Sequence, residues 1–258
     1  MKLYQIYFSP TGGTKKAAES LSDAWDCEKE TIDLMDMGKS WENRSFSEED
    51  VCIIAVPSFG GRVPKTALER LRTMDGKGSK AVLMAVYGNR AIDDTLIELK
   101  DEAEKIGFIP VAAAEAVAEH SIIRKFGTGR PDEEDKEELK SFGKQIREKL
   151  ESFEKNGKRK ELDVPGNRPY REYNGVPMKP EGNKNCGKCG LCAAECPVQA
   201  IPKDNPASVD KEKCISCMHC IAICPNHARQ NSKVILFAAE QKMKKACSGR
   251  KDNRLYQV

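Results

Sequence analysis

Lys2-Leu3-Tyr4-Gln5-Ile6-Tyr7-Phe8-Ser9-Pro10-Thr11-Gly12-Gly13-Thr14 begins as an alternating apolar run and breaks into hydroxyl residues and glycine. Lys2–Phe8 predicts a strand, and Gly13–Trp25 a helix with Ala17, Ala18, Leu21, Ala24 and Trp25 on one face. The loop between them, Ser9-Pro10-Thr11-Gly12-Gly13-Thr14, runs straight into that helix. Hydroxyls and glycine N–H groups at a helix start can nest a phosphate, while Ser and Thr are equally good plain helix caps. The loop is neither G-x-G-x-x-G nor G-x4-G-K-[ST], so a monoester phosphate fits better than a dinucleotide or a nucleoside triphosphate.

The alternation continues. Glu28–Leu34 predicts a second, weaker strand, and Val51–Val56, ended by Pro57, a central parallel strand buried on both faces. Pro64–Met74 predicts a helix with Ala67, Leu68, Leu71 and Met74 inward, its proline near the first turn. Lys80–Val86 is another buried strand, followed by a helix over Ala91–Ile106 that buries Ile92, Leu96, Leu99, Ala103 and Ile106. Phe108–Val117 reads as a fifth strand, with Pro110 at its start or in a bulge. A last helix starts at Pro131, carries Asp132, Glu133, Glu134 and Asp135 in its first turn, and buries Leu139, Phe142, Ile146, Leu150 and Phe153. Five strands alternating with helices predict an α/β doubly wound parallel sheet, whose ligand lies at the C-terminal strand ends.

Two further loops therefore carry chemistry. Pro57-Ser58-Phe59-Gly60-Gly61-Arg62 follows the third strand, and Tyr87-Gly88-Asn89-Arg90 with Asp93 and Asp94 follows the fourth. Each sets an aromatic ring beside glycine, as a planar heteroaromatic ligand needs, with Arg62, Asn89 and Asp93 offering polar groups to ring edges. Gly88-Asn89 as a simple turn, and Asp93 or Asp94 as helix-start acids, are the plain alternatives. His120-Ser121, after the fifth strand, lies on the same sheet edge, where the imidazole could tune a ligand's protonation; a water-exposed loop histidine is the reading favoured by sequence alone.

The densest chemistry lies further on. Cys186, Cys189, Cys192 and Cys196 precede Pro197, and Cys214, Cys217, Cys220 and Cys224 precede Pro225, each in C-x2-C-x2-C-x3-C-P spacing. That spacing suits 4Fe–4S clusters in which three thiolates of one run are joined by the fourth of the other. The expected sets are Cys186, Cys189, Cys192 and Cys224 around one cluster, and Cys214, Cys217, Cys220 and Cys196 around the second. Disulfides need an oxidising compartment, and zinc sites take paired C-x2-C elements with a longer gap, so neither fits two complete runs. His219 lies inside the second run, where a hydrogen bond outside the ligand sphere is its expected role. The two halves form an internal repeat separated by Asn205–Asp210, with an apolar core small enough to depend on metal.

Taken together, Ser9–Thr14 resembles the phosphate loop of flavodoxins, and the two later loops resemble their isoalloxazine-binding loops. The chain, over roughly Met1–Gln230, resembles the flavodoxin–ferredoxin fusions called EFR1-family ferredoxins. The resemblance implies FMN in the N-terminal unit and two 4Fe–4S clusters in the C-terminal one. Ser9, Thr11, Gly12, Gly13 and Thr14 would hold the FMN phosphate. Pro57, Ser58, Phe59 and Gly60 would flank one side of the ring, and Tyr87, Gly88, Asn89 and Arg90 the other. Phe59 stands where many flavodoxins carry Trp or Tyr.

The expected organisation is a flavodoxin-like unit over 1–155, a linker or ordered strap over 156–180, a two-cluster ferredoxin-like α+β unit over 181–230 and a basic tail over 231–258. Within the tail, Val234–Ala239 predicts a helix returning onto one of the units. The net charge of +3 does not by itself point to nucleic acid. Basic residues concentrate at 155–179, seven against three acids, and at 231–258, seven against two. A solvated linker and tail are the favoured reading; docking of an acidic electron-transfer partner is the other. Of the 11 cysteines, Cys27, Cys52 and Cys247 lie outside the runs; the first two are expected as buried inert thiols, and no role follows for the third. No leader pattern is read in Met1–Phe8, apolar stretches such as Ala81–Val86 are too short for a membrane, and a reducing cytoplasm is expected. The functional expectation is an electron-transfer iron–sulfur flavoprotein with no acid–base or nucleophilic catalytic residue. The alternatives are an FMN-dependent reductase fed by the clusters, a redox-sensing binding module, or a ferredoxin on a flavin-free scaffold.

Overall fold

The computed structural model describes the backbone of residues 1–156 and 161–258, and the side chains of these outside 151–156. The N-terminal part alternates β1 (Leu3–Tyr7), α1 (Gly13–Ser22), β2 (Lys29–Asp33), β3 (Val51–Pro57), α2 (Lys65–Leu71), β4 (Lys80–Tyr87), α3 (Thr95–Lys105), β5 (Ile109–Val117) and α4 (Glu133–Asn156). Then follow β6 (Glu181–Gly182), α5 (Leu191–Ala194), α6 (His219–Ala222), β7 (Arg229–Gln230), α7 (Lys233–Met243) and β8 (Arg254–Gln257).

The period of two in the strands sets the layers. In β3, Val51, Ile53 and Ala55 face α1 and α4, packing with Leu21, Leu139 and Ile146. Cys52, Ile54 and Val56 face the opposite layer of α2 and α3, with Leu68, Leu71, Leu96 and Leu99. Strands apolar on both faces belong inside a parallel sheet, and β3 and β4 occupy that place in the order β2-β1-β3-β4-β5. This is the flavodoxin-like order, with its switch point between β1 and β3. Pro110 falls at the register shift where Ala81 faces Pro110 and Val82 faces Ala112, leaving Val111 as the extra residue. Phe153, expected in the α4 core, lies outside the described side chains.

The C-terminal segment departs from the expected solvated tail. β8 pairs antiparallel with β5 and makes the sheet six-stranded. Its four residues are too few and too polar to read as a strand; polar contacts hold it instead. Asn253 Oδ1 accepts from the Val117 amide at 2.9 Å, Asn253 Nδ2 donates to Asp135 at 3.1 Å and Glu138 at 2.6 Å, and Tyr256 donates to Glu115. Arg130, itself ion-paired to Asp135, donates to the Lys251 carbonyl at 2.6 Å.

Residues 161–180 form an ordered strap. Leu162 and Val164 are buried in the α2–α3 layer. The Asn167 and Arg171 amides donate to the two Asp94 oxygens at 2.9 and 2.7 Å, and Arg168 and Tyr170 both hold Asp101. Basic residues of the strap and tail thus serve internal ion pairs: Arg168 with Asp101, Arg171 with Asp93, Arg250 with Asp132. Lys158, Lys160 and Arg159 lie outside the described residues.

The cysteine-rich part repeats itself. Lys188, Gly190 and Gln199 have positive φ, and so do Ser216, Met218 and His227, each 28 residues later. Gly190 and Met218 precede α5 and α6 in the same left-handed conformation. No helix among the described residues is long and apolar enough to cross a membrane.

Candidate functional site

A cavity of about 480 Å³ opens at the C-terminal ends of β1, β3, β4 and β5. Thr11, Gly13 and Thr14 line it from the first loop, Pro57, Ser58, Phe59 and Gly60 from the second, and Tyr87, Gly88 and Arg90 from the third. The sheet brings these distant loops together because all three follow neighbouring parallel strands. Gly12, at φ +87°, makes the turn into α1, and a Cβ on Gly13 would lie 2.9 Å from the Ala118 Cβ, so the helix start sits directly against β5.

Some expected groups point elsewhere. The Ser9 hydroxyl accepts the Lys15 amide at 2.9 Å, acting as a helix cap and not lining the cavity. Asn89, in the left-handed region at φ +62°, turns its buried side chain to the C-terminal segment, donating to the Cys247 and Gly249 carbonyls at 2.7 and 2.8 Å. Arg62 is held bidentately by Glu98 at 2.8 and 2.6 Å and donates to the Arg171 carbonyl at 2.7 Å. Asp93 pairs with Arg90 and Arg171. Arg62, Asn89 and Asp93 therefore build the walls and their side chains do not reach the ring space.

His120 corrects the exposed-loop expectation. It lines the cavity, its Nδ1 accepts the Ile122 and Ile123 amides at 3.1 Å each, and burial, aided by Arg90 and opposed by a hydrogen bond to its own backbone, pushes its pKa down to about 4. Cys247, without an expected role, is buried, whereas Cys27 is only partly so and Cys52 fully. Burial pushes the Cys52 thiol up to about 12, as an inert thiol requires.

The strap contributes what the loops lack. Arg171, Glu172, Tyr173 and Asn174 line the cavity, and a Cβ on Gly60 would overlap the Tyr173 ring. An aromatic ring thus reaches the loop of Phe59 from more than 100 residues away in sequence. No local pattern marks Tyr173 for this place.

The eight run cysteines fall into two interleaved sets. Cys186, Cys189, Cys192 and Cys224 line one small pocket. Cys217 has its thiol pushed up chiefly by burial, against a backbone hydrogen bond from His219, and further by the neighbouring Cys220, Cys196 and Cys214. Backbone amides point at sulfur at equivalent places: Ala200 to Cys196 Sγ at 3.3 Å and Ala228 to Cys224 Sγ at 3.2 Å. All run cysteines are free thiols, and among the described residues no group of three or more His, Cys, Asp or Glu is arranged for a single metal ion. Donor chemistry and spacing of this kind suit polynuclear iron–sulfur clusters.

Arg229 sits between the sets and is only 3 % exposed. Its guanidinium donates to the Pro206 and Ser208 carbonyls at 2.8 and 3.0 Å, and its charge lowers the Cys192 and Cys220 thiols against the upward push of burial. A buried cation here offsets thiolate charge. Its counterpart in the first half of the repeat is Ile201, and that break in symmetry is the sequence signal that could have found it.

The two sites meet. Ser216 and Cys217 line the same cavity as the three loops. His219 Nδ1–H donates to the Pro10 carbonyl at 2.8 Å, tying the second cysteine run to the first loop. Arg70 donates to the Pro197 carbonyl at 2.8 Å, joining α2 to the end of the first run.

The strand order and the loop-end cavity define a flavodoxin-like α/β unit, here joined to a cysteine-rich module. A family model described as NosR matches residues 184–242, a span that includes both cysteine runs. No curated protein matches the chain. Among solved structures, flavodoxin 1 from Bacillus cereus is 19 % identical, covering 57 % of this chain and 98 % of its own, with a TM-score of 0.41. A flavodoxin from the domain Archaea is 17 % identical, covering 58 % and 99 %, at a TM-score of 0.40. Rubredoxin oxygen:oxidoreductase from the anaerobe Desulfovibrio gigas is 16 % identical, covering 58 % of this chain and 36 % of its own, at a TM-score of 0.43.

Proposed function

We propose that the chain is an electron-transfer iron–sulfur flavoprotein that holds FMN in the loop-end cavity and two 4Fe–4S clusters on the interleaved thiols. The observation that carries this reading is the shared wall: Cys217 of the second thiol set lines the same cavity as Thr11, Thr14, Ser58 and Tyr87. The residues fit the groups. Thr11 and Thr14 stand at the start of α1, where hydroxyls and free amides suit a phosphate monoester, and Phe59 and Tyr173 offer rings to a planar ligand, while the Tyr87 ring packs in the core with its hydroxyl on the Asp252 carbonyl.

When bound, the clusters carry single electrons and the flavin one or two, which couples one-electron to two-electron partners. The chain's own contribution is order. Cys214, Cys217, Cys220 and Cys196 hold the site next to the flavin cavity. Cys186, Cys189, Cys192 and Cys224 hold the outer one, where exposed Cys189 directly follows exposed Lys188, with Lys184 exposed on the same stretch. Those lysines favour encounter with an acidic redox partner at the outer end. Tyr173 and the strap cover the ring space and restrict water.

Cofactor content of anaerobically purified protein tests the proposal. The expected result is about one FMN and ~8 Fe, with matching sulfide, per chain. The same iron with no flavin, even after FMN is added, would reduce the protein to a ferredoxin on an unused scaffold and end the two-electron reading.

A further inference from the structure

We propose that His120 is locked as the neutral Nε2–H tautomer and serves as a fixed hydrogen-bond donor into the loop-end cavity, toward an uncharged acceptor, a ring carbonyl or imino nitrogen, on the bound heteroaromatic. The acceptor's identity rests on the FMN reading; the lock itself does not.

Both the Ile122 and Ile123 amides donate to Nδ1, at 3.1 Å each. A nitrogen that accepts two N–H groups must present its lone pair, so the ring proton resides on Nε2. The ring cannot turn to exchange these roles. A Cβ on Gly88 would lie 2.7 Å from the His120 Cα, Cβ and Cγ, so the loop after β4 closes one side with bare backbone. Phe126 meets the imidazole edge-on at 6.2 Å between centroids, and the His120 amide donates to the Phe126 carbonyl at 2.9 Å. The Ala118 amide donates to the Tyr87 carbonyl at 2.9 Å and fixes the strand end from which His120 projects. The remaining side is the cavity.

Protonating the half-buried ring at Nδ1 would set an N–H against two others, so the imidazole stays neutral. Of the charged groups around it, Arg90 acts the same way, and Glu119 and Arg171 are already paired. Arg90 from the β4 loop lowers its pKa, which burial brings to about 4. Glu119, beside it on the chain, is held by Arg124 and the Gly129 amide. Arg171 of the strap is ion-paired to Asp93, while Glu172 and Lys242 line the cavity from the strap and α7. A donor that carries no charge at neutral pH orients an acceptor without selecting for an anion.

Two measurements decide the matter. Nitrogen-15 NMR of ring-labelled histidine in the flavin-free holo-iron protein, with the His120 signals assigned by their loss in His120→Gln, should show an Nε2–H tautomer unchanged between about pH 5.5 and 8.5. A ring that titrates in that range, or carries its proton on Nδ1, overturns the proposal whether or not flavin binds. FMN titration then compares His120→Leu with His120→Gln, which keeps a donor of similar reach. The expected result is a Kd raised about three- to tenfold in the first and restored to within about twofold in the second. Equal affinity in both variants and the unaltered protein overturns the donor role. Failure of the unaltered protein to bind FMN would instead sink the cofactor reading, leaving the lock to stand or fall on the NMR result.

Discussion

Replacing Gly143 by Ala in α4 sets helix propensity against packing. On propensity alone, Ala in a helix interior is favoured over Gly by roughly 0.5–1 kcal/mol. In the folded chain a Cβ at this position would overlap the Leu21 carbonyl oxygen and lie 2.8 Å from the Ala24 Cβ and 3.1 Å from the Trp25 ring. The carbonyl is backbone of α1 and cannot rotate away, so the two helices must separate. Overpacking of this kind costs about 1–3 kcal/mol. The expected net effect is a loss of roughly 1–2 kcal/mol, against a slight gain for the control Ser141→Ala on the exposed face of the same helix. Trp25 is buried beside the site and is one of only two tryptophans, so its fluorescence during urea unfolding reports the contact locally. Because α1 also begins at the cavity, with Gly13 set against Ala118, the displacement should weaken ligand binding at Thr14 as well. A Gly143→Ala protein as stable as the parent, or more stable, would refute the close-approach argument.

Cys189→Ser should lower iron from ~8 toward ~4 per chain while leaving flavin content unchanged, read by iron and flavin assays on the same sample. Equal loss of both cofactors would contradict the separation of the outer thiol set from the cavity. Asn253→Ala strips the Val117 amide of its acceptor and Asp135 and Glu138 of a donor, for an expected cost of roughly 1–3 kcal/mol. Faster hydrogen exchange confined to the β5–β8 pair is the signature; unchanged exchange there would mean that β8 is held by other contacts. Asp101, hydrogen-bonded by Arg168 and Tyr170, has its carboxyl held below the ordinary range, chiefly by Arg168. Its contribution to strap docking is therefore present above the unfolded carboxylate pKa of about 3.9 and is lost as pH falls through the depressed folded value. Asp101→Asn mimics the acid form at neutral pH, so proteolysis within 161–174 should accelerate; an unaltered cleavage rate would show that the buried Leu162 and Val164 suffice to hold the strap.

Much of the architecture was legible in the chain because it is written in local periodicity. A strand that must bury both faces can be little else than apolar throughout, as Val51–Val56 and Lys80–Val86 nearly are, and each was readable without its neighbours. The cysteine runs were readable for a similar reason, since metal-ligand spacing is a local property of a turn. The candidate loops were locatable because parallel strands deliver their C-terminal ends to one edge.

What escaped the sequence is what depends on distant partners. Leu255 and Tyr256 become part of the sheet only because β5 leaves an edge open and Asn253, Asp135 and Glu115 provide polar anchors. Tyr173 gains a place at the cavity because the strap is drawn across Gly60 by Asp94 and Asp101. Ser9, Asn89, Arg62 and Asp93 had suitable chemistry but found partners in the fold first. His120 looked like a loop residue until Gly88 and two amides enclosed it. Sequence alone determined the five parallel strands, the thiols and the loops, because backbone periodicity and ligand spacing act over a few residues. Tertiary structure decided which side chains face the cavity and how the thiol sets lie against it, because direction and burial are set by neighbours that the chain brings from far away.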